Sequence, residues 1–155
     1  MDKEYETVML KSVSESDLDL IYNLNHTIFK DEITYDKEFI KRLCRLKQGY
    51  IAYINNVPTG YILFGMTICK NERYFTIISI GVLSNFRGKN IGKKLLFKVC
   101  EQYSDKDIIL HVRPKNTAAQ NLYKSAGFAI IDIEENYYPQ LNDNAYHMLR
   151  KGNLA

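Results

Sequence analysis

A short basic turn near the middle of the chain carries the residues best suited to hold a charged ligand. The run SNFRGKNIGKK, residues 84–94, contains four basic side chains and two glycines. The apolar segment YFTIISIGVL precedes it, and an amphipathic helix is predicted from Ile91. Free backbone N–H groups and the positive dipole end of a helix start suit a phosphate or pyrophosphate. The alternative is a basic turn followed by a solvated helix face, because glycine-basic turns are common.

Hydrophobic periodicity places this turn in a chain of strands interrupted by helices. Strands are predicted at residues 5–13, 50–54, 60–68, 74–83, 108–112, 128–133 and 145–149. Helices are predicted over residues 17–29, 36–48 (ended by Gly49), 91–103 and 116–126, with turns at 55–58 and 71–73 and an aromatic loop at 136–139. The inner stripe of the second helix is predicted to be Phe39, Ile40, Leu43 and Leu46. This order predicts a mixed α/β (α+β) fold in one domain, residues 1–155.

Composition is that of an ordinary globular protein, with 46% hydrophobic and 25% charged residues and a net charge of +3. That mild charge does not predict direct nucleic-acid binding. The three cysteines are widely spaced without a C-x-x-C pair, which predicts reduced thiols and no metal site. Apolar runs fall short of the roughly 20 residues of a membrane span, and the first ten residues carry acids rather than a signal peptide. A cytoplasmic protein without membrane partners is expected, with nuclear passage left open.

A second cluster, NTAAQNLYKSAGF at residues 116–128, follows a predicted strand. It resembles the second signature of the GCN5-related N-acetyltransferase (GNAT) superfamily, and RGKNIG then resembles the family's acetyl-CoA pyrophosphate loop, Arg/Gln-x-x-Gly-x-Gly/Ala. Arg87 and Gly92 match that pattern, whereas Asn90 stands where the first glycine is usual. Asparagine tolerates a left-handed backbone better than most residues. The resemblance implies the GNAT fold, a mostly antiparallel mixed sheet of about six to seven strands flanked by about four helices.

The similarity extends over nearly the whole chain to the NatE-type N-terminal acetyltransferases (the San group). LNHTIF at 24–29, YDKEF at 35–39, ILHV at 109–112, NYY at 136–138 and AYHML at 145–149 carry it. The chain departs from that family by two extra residues between Phe29 and Tyr35 and by Lys30 in place of a proline. The resemblance implies acetyl-CoA as co-substrate and a peptide or protein N-terminus as acceptor.

Four residues receive catalytic roles through this resemblance. His111 matches the family's catalytic histidine, although a histidine on a buried strand is otherwise a core residue. Thr76 stands where the family has a tyrosine, and Tyr74 lies on the same strand face about 7 Å away. Three alternatives follow for the missing tyrosine. His111 works with a water held by Thr76, a local bulge directs Tyr74 toward His111, or the chain is a weak catalyst. Tyr123 matches the tyrosine beside the coenzyme sulfur, the alternative being a helix core residue.

The resemblance also implies two sets of binding residues. The coenzyme is expected to contact Ile80, Val82, Arg87, Gly88, Lys89, Asn90, Ile91, Gly92, Lys93, Asn116 and Tyr123. The acceptor peptide is expected to contact Phe29, Ile33, Tyr35, Ile78, Tyr137, Tyr138 and Leu141. The alternative for the second set is that its aromatic side chains only seal the sheet edges.

The expected reaction is acetyl-CoA-dependent Nα-acetylation of protein N-termini that begin with Met and an apolar residue, by direct transfer in a ternary complex. The cysteines lack a neighbouring histidine motif that would indicate a covalent intermediate. Two alternatives remain: a GNAT acting on another amine, such as a ribosomal-protein N-terminus, a lysine or a polyamine, and a weakly catalytic acetyl-CoA-binding module. Such a module would dock on subunits of the ribosome-associated N-terminal acetyltransferase complex.

Overall fold

A computed structural model describes residues 7–153. Seven strands occur in this range: β1 Val8–Ser12, β2 Gly49–Ile54, β3 Val57–Cys69, β4 Glu72–Val82, β5 Ile108–Val112, β6 Ala129–Tyr138 and β7 Asp143–Arg150. The four α-helices are α1 Leu18–Ile28, α2 Lys37–Arg45, α3 Ile91–Gln102 and α4 Thr117–Ser125. Three short 3-10 turns lie at Glu15–Asp17, Ser84–Phe86 and Pro139–Leu141. The predicted number of strands and helices is confirmed, although the start of the predicted first strand lies outside the described residues.

The seven strands form one mixed sheet in the order β1-β2-β3-β4-β5-β7-β6. Antiparallel pairing joins β1 to β2, β2 to β3, β5 to β7 and β6 to β7. By contrast, β4 and β5 are parallel and pair at Phe75 with Ile108 and at Thr76 with Ile109. The mostly antiparallel mixed sheet expected from the resemblance is therefore confirmed.

The chain divides into two compact units. The first unit comprises the residues up to Leu63 together with Ser79–Leu95. Its core includes the fully buried Ile21, Ile40, Ile51 and Tyr61. Helix α2 begins at Asp36, whose carboxylate accepts the backbone N–H of Phe39 at 2.8 Å. This N-cap satisfies an amide that the helix itself leaves without a partner.

The second unit comprises Phe64–Ile78 and the residues from Leu96 onward. Its core contains an aromatic group in which Phe75 stacks on Phe64 at 5.5 Å and meets Tyr103 at 4.5 Å. Helix α4 is capped by the Asn116 side chain, which accepts the Ala119 N–H at 3.1 Å. Each unit thus has its own buried core, and the single domain expected from sequence stays a prediction.

Two hairpin turns are tighter than predicted. The turn expected over residues 55–58 consists of Asn55 and Asn56, with φ values of +49° and +63°. Strand β3 therefore begins at Val57 and includes Pro58. The turn expected at residues 71–73 lies instead at Lys70 and Asn71, both also at positive φ. Two consecutive left-handed residues match the twist of antiparallel strands, which is why the hairpins close in two residues.

Two other predictions were wrong. Leu46 is 58% exposed, because α2 ends at Arg45 and the helical period no longer directs the next side chain inward. The aromatic loop at residues 136–139 is largely strand: β6 continues to Tyr138 and pairs with β7 through two register shifts. These shifts interrupt the alternation of apolar residues, so the pattern ends before the strand does. A helix with the length and apolarity of a membrane span does not occur between residues 7 and 153.

Candidate active site

A cluster of titratable side chains surrounds His111 in the second unit. His111 lies on β5 directly opposite His147 on β7, and β6 brings Glu134 alongside both. The Nε2 atom of His111 lies 3.1 Å from Oε1 of Glu134, and Nδ1 of His147 lies 3.4 Å from the same oxygen. The Cys69 thiol donates to that oxygen at 3.8 Å. We call these four residues the histidine cluster; strand pairing, rather than a flexible loop, positions three of them.

Burial tunes His111 for accepting a proton. Loss of solvent lowers the pKa of His111 below the ordinary value of 6.5, and the neighbouring Glu134 carboxylate opposes this effect only in part. The imidazole is therefore mainly neutral near pH 7. Because a carboxylate only accepts hydrogen bonds, Nε2 of His111 carries the proton that it donates to Glu134. The lone pair is then on Nδ1, which leaves this atom as the ring nitrogen that can accept a proton.

Two predicted acceptor-binding residues lie next to this base. The Tyr137 ring stacks on the His111 ring at 4.2 Å between centroids and an interplanar angle of 11°. Tyr138 meets Tyr137 edge to face at 4.8 Å. Leu141 follows in a 3-10 turn and is half-buried, as is Ile78 on β4. The structure therefore brings the tyrosine pair to the predicted catalytic histidine.

Tyr74 and Thr76 both have hydrogen-bond partners within the second unit. The Tyr74 hydroxyl donates to Glu72 at 2.7 Å, and this bond raises the pKa of Tyr74. The Tyr74 ring stands edge-on to His147 at 6.5 Å. Thr76 is buried; its hydroxyl donates to the Tyr74 carbonyl at 3.2 Å and lies 2.6 Å from the Thr67 hydroxyl. The catalytic roles assigned to both residues stay predictions.

Tyr123 and Asn116 belong to α4 and its cap. Tyr123 is 8% exposed and meets Phe128 edge to face at 6.2 Å, so its ring is part of the core of the second unit. A packed tyrosine can still direct its hydroxyl toward a ligand. Asn116 holds the start of the helix through its side chain. The structure therefore confirms the core position of Tyr123, and its predicted contact with the coenzyme sulfur stays a prediction.

The predicted pyrophosphate loop lies in the first unit and has the backbone that its motif requires. Asn90 adopts φ +61°, the left-handed conformation that the usual glycine would supply. Gly88 is also left-handed at φ +81°, and an added Cβ there would have no atom within 4 Å. Helix α3 begins at Ile91, directly after the exposed residues of this loop: Arg87, Gly88, Lys89 and Asn90. The loop fits an anionic phosphate ligand.

The remaining predicted coenzyme residues surround this loop. Ile80 and Val82 are half-buried on β4, and the Arg87 Nε donates to the Val82 carbonyl at 3.5 Å. Gly92 and Lys93 lie in the first turn of α3. Basic side chains and a helix start therefore occur together, as the motif predicts.

The other predicted acceptor residues, Phe29, Ile33 and Tyr35, follow α1 in the first unit. The Phe29 ring packs so closely on Gly81 that an added Cβ would be 2.9 Å away. The Tyr35 backbone N–H donates to Asn25 Oδ1, and its carbonyl accepts from His26, both at 2.9 Å. Ile33 is half-buried. These contacts hold the segment between α1 and α2 in a defined conformation.

Sequence reasoning did not identify Cys69, Glu134 or His147 as site residues. Glu134 stands among polar residues, with Asp132 before it and Glu135 and Asn136 after it, so nothing in the sequence distinguishes it as a buried partner. His147 is 6% exposed, and Tyr146 and Met148 flank it. A histidine on the last strand of a sheet is a detectable signal, but only strand pairing shows which residue it faces.

Comparisons with known proteins agree with this geometry. The Acetyltransferase (GNAT) family model matches residues 17–128. Zebrafish (Danio rerio) N-alpha-acetyltransferase 50 is 28% identical over 149 residues, 93% of this chain and 88% of the relative. The Drosophila melanogaster probable N-acetyltransferase san is 28% identical over 151 residues, 94% of this chain and 80% of the relative.

A solved structure shows the same likeness. Arabidopsis thaliana Naa50, in complex with the bisubstrate analogue CoA-Ac-MVNAL, superposes with a TM-score of 0.81 at 27% identity, covering 93% of this chain and 98% of the other. The family model spans most of the chain. The likeness to the Naa50 and san proteins confirms the resemblance that was expected from sequence. The chain belongs to the GNAT family of acetyltransferases.

Proposed function

We propose that this chain is an acetyl-CoA-dependent Nα-acetyltransferase that acts on protein N-termini beginning with Met and an apolar residue. The observation that carries the proposal is the partly buried His111, held by Glu134 and covered by Tyr137. Support for the substrate class comes from the likeness to Naa50, whose bisubstrate analogue joins coenzyme A to a peptide that begins Met-Val. Support for the coenzyme comes from the left-handed backbone of Asn90.

Each residue has a part in the proposed reaction. Acetyl-CoA supplies the acetyl group as a thioester, and the loop from Arg87 to Lys93 would hold its phosphates. An α-amine has a pKa of about 7.7–8.0, so a base of modest strength is enough to remove its proton. His111 accepts that proton at Nδ1 while Glu134 fixes the ring through Nε2. Transfer is direct, in a ternary complex and without a covalent enzyme intermediate: the amine nitrogen bonds to the acetyl carbon, the carbon–sulfur bond of the thioester breaks, and coenzyme A leaves as a thiolate.

The proposed acceptor contacts account for the preference for an apolar side chain. Tyr137 and Tyr138 offer aromatic faces and hydroxyls at the His111 end of the second unit. Phe29, Ile33 and Tyr35 offer apolar surface in the first unit. Aromatic side chains of this kind can bind a peptide backbone through their hydroxyl groups and bury an apolar first side chain.

A second candidate is a weakly catalytic acetyl-CoA-binding module that docks on subunits of the ribosome-associated N-terminal acetyltransferase complex. It is favoured by one observation: the hydroxyls of Tyr74 and Thr76 both have protein partners already. If those bonds persist when substrate binds, neither hydroxyl can assist His111 in the way that the family tyrosine would. We also propose that the chain works in the cytoplasm in either role.

An acetyl-transfer assay separates these candidates. Purified protein and acetyl-CoA are incubated with peptides beginning Met-Leu, Ser or Ala, with a lysine peptide whose N-terminus is blocked, and with a polyamine, and free coenzyme A is measured. We expect turnover on the Met-Leu peptide to exceed the others by at least about tenfold, a modest difference for one buried side chain. Binding of acetyl-CoA without turnover on any acceptor would contradict the enzyme proposal and support the binding module.

A further inference from the structure

We propose that Cys69, His111, Glu134 and His147 form a binding site for a divalent transition-metal ion of the zinc class. One donor atom from each side chain lies within 4.8 Å of every other. Cys69 is the last residue of β3, and His111, Glu134 and His147 lie within β5, β6 and β7. All four residues belong to the second unit. Metal-motif spacing is absent along the chain, and a metal-free protein is the expectation from sequence.

Three of the six donor–donor distances in the cluster are close to those that a tetrahedral zinc ion imposes, and every pair lies within 4.8 Å. Bonds of about 2.0–2.1 Å to nitrogen and about 2.3 Å to sulfur place tetrahedral donors roughly 3.3–3.8 Å apart. Around Glu134 Oε1, the donor atoms of His111, His147 and Cys69 lie at 3.1, 3.4 and 3.8 Å. The donors therefore need only small side-chain rotations to surround an ion.

The donor types select the metal class. One thiol, two imidazoles and one carboxylate are ligands of zinc and similar borderline-soft ions, whereas magnesium and calcium take oxygen ligands. The side chains of His111, His147 and Glu134 are 9%, 8% and 18% exposed. Partial burial limits competition from water, and the residual exposure leaves a way in for an ion.

One atom of the cluster is not accounted for by its hydrogen bonds. The Nε2 atom of His147 is buried and has no hydrogen-bond partner among the residues that the structure describes. A buried polar atom of this kind usually has a functional reason in a native protein. With a metal bound at Nδ1, the neutral His147 ring carries its proton on Nε2, so coordination does not itself give that atom a partner. The donor distances and the donor types support the metal site instead.

Metal binding rearranges protons without any redox step. The Cys69 thiol releases its proton to solvent as the sulfur–metal bond forms. On His111, the metal replaces the Nε2 proton, so a neutral ring must carry its proton on Nδ1. If the proposed acetyl transfer is correct, this is the atom that accepts the proton of the substrate amine. A bound ion therefore stops turnover by imposing the wrong tautomer, and its removal restores turnover.

The test begins with binding, independently of any activity. Full-length protein stripped with a chelator is titrated with Zn²⁺ against a chromophoric chelator and with Co²⁺ under an absorption spectrometer. We expect one ion per chain and a thiolate-to-cobalt charge-transfer band. Cys69→Ser should abolish that band, and Cys69→Ser and His147→Leu should each weaken Zn²⁺ binding at least about tenfold. Cys100→Ala, a buried thiol outside the cluster, is the matched control and should keep both the band and the affinity.

The outcomes are distinguishable. Zinc binding that is absent, or equal in wild type and both cluster variants, would overturn the site. In the acetyl-transfer assay, one equivalent of Zn²⁺ should inhibit the wild type reversibly and should inhibit Cys69→Ser by a smaller factor, each measured against its own metal-free rate. Equal fractional inhibition of both would overturn the regulatory role. A protein that binds one ion through Cys69 but acetylates nothing keeps the metal site and loses only the proposed function.

Discussion

Two buried polar clusters, one in each compact unit, differ in how completely their hydrogen bonds are satisfied. In the first unit, Asn25 is fully buried; its amide donates to the Tyr61 hydroxyl at 3.0 Å, and its oxygen accepts the Tyr35 N–H at 2.9 Å. Burial raises the pKa of Tyr61 to about 12, so its hydroxyl keeps its proton; it shares a hydrogen bond of 2.7 Å with the Ser79 hydroxyl. We call Asn25, Tyr35, Tyr61 and Ser79 the asparagine cluster.

The histidine cluster of the second unit is arranged differently. Three donor groups converge on a single oxygen of Glu134, and Nε2 of His147 is left without a partner in the described part of the chain. A satisfied buried network stabilises one conformation, whereas an incompletely satisfied one costs stability. The comparison supports a structural role for the asparagine cluster and the proton and ligand exchange proposed for the histidine cluster.

The largest expected effect is a loss of catalytic turnover when the histidine cluster is changed at His111. His111→Ala should lower kcat by about 10²–10⁴-fold, the range of general acid–base catalysis. Affinity for acetyl-CoA should be unchanged, because the phosphate loop belongs to the first unit. The measurements are steady-state turnover and calorimetric binding of the coenzyme in chelator-treated buffer.

The neighbouring histidine provides the control for that experiment. His147→Leu removes an imidazole from the same cluster and should retain most of the metal-free turnover, since His147 is not the proposed base. Wild-type turnover in His111→Ala would remove His111 from the mechanism. A joint loss of turnover and coenzyme binding would point to damage of the fold instead.

The next largest expected effect is a loss of unfolding free energy when the asparagine cluster is changed at Asn25. Asn25→Ala leaves the Tyr35 N–H and the Tyr61 hydroxyl each without one buried partner, which should cost about 1–3 kcal/mol of unfolding free energy. Urea denaturation followed by circular dichroism measures it. Asn23→Ala changes an exposed asparagine on the same helix and should alter stability by less than about 0.5 kcal/mol. Equal losses in the two variants would refute a structural role for the asparagine cluster.

The two regions also differ in what the sequence could predict. The phosphate loop is a local motif, so its residues were identifiable from the chain alone, and the left-handed φ of Asn90 agrees with the conformation that its residue type permits. Strand β5 was predicted with its observed bounds because four of its five residues are buried and apolar. Residue types were sufficient to predict these two features because the residues that form each of them are close together in the sequence.

The histidine cluster depends on pairing that the chain does not display. Glu134 meets His111 because β6 and β7 pair with two register shifts, and such shifts depend on tertiary packing rather than on residue type. The same shifts concealed the strand character of Tyr137 and Tyr138. Cys69 adds a contact 65 residues away from Glu134 in sequence. Family resemblance pointed to His111, but the partners that tune it required the structure.

The smallest expected effect tests the comparison most directly. His147→Leu removes a buried imidazole with an unsatisfied nitrogen and adds an apolar side chain of similar volume, so the unfolding free energy should stay within about 1 kcal/mol of wild type or rise. Tyr61→Phe is the matched change in the asparagine cluster, and the loss of its hydrogen bonds should cost about 0.5–1.5 kcal/mol. Both are measured by urea denaturation in metal-free buffer. If His147→Leu costs more than Tyr61→Phe, the histidine cluster contributes to stability like its counterpart, and its exchange role loses this support.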